Sequence, residues 1–347
     1  MATLTPKENF LRVLDGQIPE WVPEFAYPGP PLVRHGRPQG MYLMFMAELQ
    51  GSRYAPTDQK DIWGVPFTGV PEVGGFQLPT PQAFILKDIT KWHEVIKVPE
   101  RLANLDWAAA ATAELKTLPV DREQTALFFS PHCWAGFFMS ITNFMGFDEG
   151  LSAFIEEPEA VHELFDYLHR FYFDVSKQVI EAIQPDGISL GDDAAAERNP
   201  FISPQMYREF LLPLYRDYCQ LAIDRGIPIE MHLCGRGEDF IHDLIKIGVN
   251  AWDPVQLSND IDGLQARYGR HLVIAGGWEG RGRLTELDVS DEEIRQSVRD
   301  TMDRYGRNGG FIWAGSYTPM SLDDPLTAHW NEVLGEEVYD YGNRLYL

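Results

Sequence analysis

The sequence predicts an α/β fold of the (β/α)8 TIM-barrel kind. Three observations carry this: short apolar runs alternate with long amphipathic segments from about residue 125 onward, the loops between them are short, and the number of such units in this length favours closure into a barrel over an open sheet. The 347 residues, 44% hydrophobic and 23% charged, are enough for a large core. No Ser/Gly/Pro-rich or charge-run linker divides the chain, so residues 1–347 are read as one domain with an irregular N-terminal segment.

The strands expected in order are Leu127-Phe128-Phe129, Gly187 to Leu190, Ile227 to His232, Ala251-Trp252, Leu272 to Ala275 and Gly310 to Trp313. Between them, Pro158 opens a helix whose apolar residues Val161, Leu164, Phe165, Leu168, Phe171 and Val175 fall on one face. Ser203-Pro204 starts another helix. Ser290-Asp291-Glu292-Glu293 forms a capping box, and Gly306 is placed to end the helix it opens. The N-terminal third is less regular. Pro23, Pro28, Pro30, Pro31 and Pro38 mark loops there, and Met41 to Leu49 reads as a helix over the barrel mouth.

A formal net charge of -23 repels nucleic acid and anionic membranes, and it disfavours a polyanionic substrate unless a local basic pocket exists. Solubility alone also accounts for it. The first ten residues carry no apolar h-region and no stretch is apolar enough to span a bilayer, which leads to the expectation of a cytoplasmic protein. Cys133, Cys219 and Cys234 are too few and too scattered for a disulfide framework, so each is a thiol or a metal ligand.

In a parallel barrel the site lies at the C-terminal strand ends. Five such ends are rich in chemistry: His132-Cys133, Gly191-Asp192-Asp193, Glu230 to Gly235, Gly276-Gly277-Trp278-Glu279 and Gly315-Ser316-Tyr317. Along Glu230-x-His232-x-Cys234, alternation sends all three side chains to one face, where carboxylate, imidazole and thiolate suit zinc. The alternative is a His and a Cys hydrogen-bonded in the core. Asp192 and Asp193 can position a substrate, act as a base or orient a metal ligand, or simply cap the following loop. Asp253 and Glu279 are further catalytic candidates, with rim salt bridges as the other reading. Cys133 has ambiguous strand parity, and Cys219 reads as core packing. Trp134, Phe137, Phe138, Trp252, Trp278, Trp313 and Tyr317 line either an apolar pocket for a flat substrate or ordinary core.

At these residues the sequence resembles the uroporphyrinogen decarboxylase superfamily, from Thr5-Pro6-Lys7-Glu8-Asn9-Phe10 to Asp324-Pro325. Asp61-Ile62-Trp63-Gly64-Val65 resembles the early Asp-x-Trp-Gly signature, and Asp192-Asp193 the central acidic pair. Ile202 to Tyr207 resembles the next helix start, and His232-Leu233-Cys234-Gly235 and Gly309 to Ile312 the later motifs. Decarboxylases of that family carry an N-terminal arginine-rich loop for their polycarboxylate substrate. The corresponding stretch here, Gln17 to Pro30, has no arginine, although Arg34 and Arg37 follow.

The resemblance is therefore to the corrinoid-linked methyltransferase branch, in which His and Cys of His-x-Cys bind zinc and a second Cys near the last strand completes the protein ligands. That Cys aligns with Ser316, so Glu230, Asp253, Glu279 or Cys133 would have to replace it. With a single thiolate the metal is a harder Lewis acid, matched to an oxygen substrate. The resemblance thus implies a methyltransferase that moves a methyl group from a methoxylated ether, aromatic by its pocket, to the cobalt of a separate corrinoid protein. The chain itself shows no cobalamin-binding domain. In this reading His232, Cys234 and Glu230 hold zinc, Asp192, Asp193 and Glu279 are catalytic, and Asp61, Trp278, Trp313 and Tyr317 contact substrate. A decarboxylase, a methylcobamide:thiol methyltransferase and a non-catalytic binding barrel are the alternatives.

Overall fold

A computed structural model describes residues 4–25, 33–34, 37–70, 76–132, 136–318 and 324–347. Pro28, Pro30, Pro31, Cys133 and Trp134 lie outside the described residues. The chain enters through helix α1 (Pro6–Leu14), opened by a Thr5/Glu8 capping box. Seven parallel strands follow: β1 (Met41–Phe45), β2 (Ala126–Ser130), β3 (Gly187–Gly191), β4 (Ile229–His232), β5 (Ala251–Val255), β6 (Val273–Gly276) and β7 (Phe311–Ile312). They pair in sequence order into one curled sheet. Residues 23–25 add the eighth stave, because Phe25 N–H donates to Trp313 O at 2.7 Å and Trp313 N–H to Pro23 O at 2.9 Å. The architecture is the (β/α)8 barrel that the alternating pattern predicts.

The β1 segment corrects one expectation. Met41 to Leu49 is not a helix over the mouth: Met41–Phe45 is a strand paired residue by residue with Ala126–Ser130, and only Ala47–Gln50 makes a helical turn. Its side chains alternate, with Met41 and Leu43 packed inside the barrel and Met44 in the outer layer. The run Met-Tyr-Leu-Met-Phe has no apolar/polar alternation and no β-branched residue, so its period does not tell strand from helix, and tertiary pairing decides it.

Alternation sorts the remaining strands in the same way. Ala126, Phe128, Ala251, Val273, Ala275 and Ile312 face inward, and Phe10, Val13 and Leu14 of α1 close the bottom of this interior. Leu127, Phe129, Ile188, Leu190, Ile229, Met231, Trp252, Ile274 and Phe311 face outward onto the helices. The outer layer includes α2 (Trp107–Leu115), α3 (Phe137–Met145), α4 (Phe147–Glu156), α5 (Pro158–Ile183), α6 (Leu212–Ile223), α7 (Glu238–Lys246), α8 (Ile261–Tyr268), α9 (Asp291–Thr301) and α10 (Pro325–Gly342). Ser203 caps its helix start by accepting from Met206 N–H, and Ser290/Glu293 form the capping box the sequence predicts. Among the described residues no helix is long and apolar enough to cross a membrane.

Candidate metal centre

Gly191, His232 and Asp253 stand abreast on β3, β4 and β5 at the C-terminal end of the sheet. From this level three ligand atoms converge. Cys234 Sγ lies 3.6 Å from His232 Nε2, and Asp193 Oδ1 lies 3.8 Å from the same nitrogen. The three donors fall within 4.8 Å of one another, and no other such group of His, Cys, Asp or Glu occurs among the described residues. Asp193 is held in place because its Oδ1 accepts the Cys234 N–H at 2.9 Å. On the far side of the imidazole, His232 Nδ1 donates to Asp253 Oδ2 at 3.2 Å, an arrangement that turns Nε2 toward Cys234 and Asp193.

The electrostatics suit a cation. Burial works against a charged imidazole, yet the Asp253 carboxylate holds His232 well above its ordinary value. Burial pushes the Cys234 thiol up, with His232 opposing it. An imidazole, a thiol and one carboxylate, partly open to solvent through Asp193, make a donor set that fits zinc.

The carboxylate that lies with His232 and Cys234 is Asp193. Glu230, expected beside His232 and Cys234, lies one strand step deeper, abreast of Ser189 and Ala251, and outside the ligand cluster. Burial, reinforced by Asp253, pushes its carboxyl well above the usual range. Asp193 reaches the cluster because the chain leaving β3 turns over the mouth, whereas Glu230 lies deeper on β4. The sequence shows which face a residue takes but not its height.

Asp192 points the other way. It is fully buried and accepts from Phe138 N–H at 2.8 Å, Met139 N–H at 3.0 Å and the Tyr215 hydroxyl at 2.5 Å. It therefore caps the N-terminus of α3 from outside. Burial raises its carboxyl to about 7, against the pull of those donors. Gly136, just before α3, is tied to this contact, since a Cβ there would meet Asp192 Cγ at 2.3 Å and Gly191 O at 2.4 Å. Neither Tyr215 nor Gly136 stands out in the sequence, because the contacts join separate segments, Tyr215 lying 23 residues from Asp192 and Phe138 at the start of α3 54.

The other expected site residues take supporting positions. Glu279 accepts the Leu257 N–H at 2.7 Å and pairs with Arg281 at 2.8 Å, tying the loops after β5 and β6 together. Asp61 Oδ1 accepts Trp63 N–H and Val65 N–H, both at 2.9 Å, and shapes its own turn; burial raises its carboxyl to about 6. Trp278, Trp313 and Tyr317 pack with Trp330 of α10 in the outer aromatic layer, and Trp278 Nε1–H donates to Ser297 of α9. Ser316, which aligns with the second cysteine of the methyltransferase branch, is exposed. Cys219 is buried, its thiol pushed up to about 12 by desolvation, and acts as core.

The family model for uroporphyrinogen decarboxylase (URO-D) matches residues 74–317. The chain belongs to the uroporphyrinogen decarboxylase family. Among solved structures, this URO-D family chain is similar to a methyltransferase from Methanosarcina mazei, at 14% identity over 97% of this chain and 99% of that one, with a TM-score of 0.58. At that identity the likeness is one of fold. A B12-independent methionine synthase from Shewanella aligns at 11% identity over 68% of this chain and 67% of that one, with a TM-score of 0.40. No curated protein matches the sequence.

Proposed function

We propose that this URO-D family protein is a methyltransferase that takes a methyl group from a methoxylated, aromatic ether and passes it to the cobalt of a separate corrinoid protein, with zinc held by Asp193, His232 and Cys234. The observation that carries this reading is the donor cluster itself, one imidazole, one thiolate and one carboxylate, with the exposed Ser316 where a second thiolate would stand. Zinc bound there would supply a Lewis acid of harder character than a two-thiolate site, suited to an ether oxygen that leaves as phenolate.

The chain's own residues prepare that chemistry. Asp253 fixes the His232 tautomer, and the Cys234 N–H fixes Asp193, so the ligands are preorganised before metal or substrate arrives. Asp192 acts as a positioning residue, anchoring the strand end that carries Asp193 to the start of α3. Glu279 braces the rim. The likeness in fold to a methyltransferase supports the reading. The decarboxylase alternative loses support because Arg37 is committed to Asn343 at 2.8 Å and to the faces of Trp21 and Tyr339.

The test is phenol release from a series of methoxybenzenes by zinc-loaded protein, supplied with a corrinoid protein in its cobalt(I) state. Release that depends on both zinc and corrinoid is expected. Its absence across the series, with zinc bound, would contradict the ether reading.

A further inference from the structure

Only one of the three donors of the metal centre sits in a strand. His232 ends β4, whereas Asp193 lies two residues past β3 and Cys234 two past β4, both in loops. A loop places a side chain less precisely than a strand does, so a loop-borne ligand needs support from around it. Asp193 takes its support from the Cys234 N–H. The arrangement therefore depends on what holds the turn at Cys234 and Gly235.

Two neighbouring loops grip that turn. On one side Arg236 N–H donates to Ala196 O at 2.8 Å, and Gly235, at φ +86°, packs so closely that a Cβ would meet Ala195 O at 2.5 Å. On the other side stands the loop after β5. The Gln256 side-chain oxygen accepts the Gly235 N–H, and Asn259 Nδ2 donates to Gly235 O and to Gln256 O, each at 3.0 Å. Asn259 Oδ1 accepts the Glu238 N–H at the start of α7, at 3.2 Å. Asn259 is buried, 7% exposed, and its carboxamide ties three backbone segments together. It needs both donor hydrogens and the acceptor oxygen to do so, and an aspartate of the same size would face two carbonyl oxygens with no hydrogen to offer.

We propose that Gln256 and Asn259 form a clamp that positions Cys234 for metal. Both act through the Gly235 peptide group, so they are positioning residues and not ligands. The Gly235 N–H belongs to the planar unit that begins at the Cys234 Cα, and fixing it limits the rotation that would swing Sγ away from His232 Nε2. β5 then serves the centre twice: Asp253 orients the imidazole, and the loop beyond it orients the thiol. The inference rests on the reading of Asp193, His232 and Cys234 as metal donors, and adds that Cys234 is the donor lost first when the clamp is opened.

Cobalt(II) substitution of the full-length protein reads the thiolate bond without any substrate, because thiolate bound to cobalt(II) gives a near-ultraviolet charge-transfer band that imidazole and carboxylate do not. Wild type is expected to show the band and C234S to lack it. In N259A and Q256A the band at saturating cobalt should weaken, and cobalt affinity from chelator competition should fall by about 10- to 100-fold, as for other groups that hold ligands in place. N259D should behave as N259A does. A purely structural role would lower the melting temperature and leave the saturated spectrum intact. Wild-type band and affinity in N259A would therefore overturn the clamp; if N259A does not fold, the same result in Q256A overturns it, Gln256 being the less buried of the two. No band in wild type, or a band kept in C234S, would instead remove Cys234 from the metal centre, and the clamp with it.

Discussion

His232 Nδ1 lies 3.2 Å from Asp253 Oδ2, so the imidazole that offers Nε2 to the metal centre is oriented by a carboxylate one strand away that is itself fully buried. A ligand braced in this way costs little to order when metal binds. The pair is possible because β4 and β5 run in register, with His232 opposite Asp253.

Removing the brace should weaken the metal centre without removing a ligand. Asp253→Asn keeps the volume but loses the charge, and a zinc affinity lower by about 10- to 100-fold is expected from chelator competition. Unchanged affinity would mean that Asp253 serves the barrel interior alone.

Gly136→Ala probes the contact that anchors α3. Its Cβ would meet Asp192 Cγ at 2.3 Å and Gly191 O at 2.4 Å, and neither neighbour is a flexible side-chain end. A loss of about 3 kcal/mol in urea unfolding is expected from overpacking of this kind. A loss well below 1 kcal/mol would show that α3 shifts freely.

His132 makes stability depend on pH. It is 1% exposed, ringed by Phe137, Tyr172, Tyr215 and Tyr218, with no hydrogen-bond partner among the described residues at either ring nitrogen. Burial lowers its value from 6.5 to about 3. Between those values the unfolded chain binds a proton that the folded chain does not, so the stabilising contribution is complete above 6.5 and is lost as pH falls toward 3. His132→Phe, which keeps a ring in the cage, should flatten the acid limb by on the order of 4 kcal/mol and cost little at neutral pH. Urea midpoints measured from pH 8 to pH 4 for both proteins check this. Parallel acid limbs would contradict it.

Much of the fold is legible because the later strands are short apolar runs with clear breaks. β1 is not, since Met41 to Phe45 reads equally as helix until β2 pairs with it. Residues 23–25 are recognisable as a stave only from their bonds to Trp313. At the site, strand alternation places Glu230, His232 and Cys234 on one face, but it does not show that Asp193 reaches the metal level from the next strand while Glu230 stays below. Trp313 sits at a strand end and belongs to the outward set with Phe311.

The metal centre stands or falls on zinc content, measured by elemental analysis on protein purified without chelators. Wild type and E230Q are predicted to hold near-stoichiometric zinc, and D193A, H232A and C234A to lose it. Zinc retained in D193A, or absent from freshly purified wild type, would contradict the assignment of Asp193, His232 and Cys234 as its ligands.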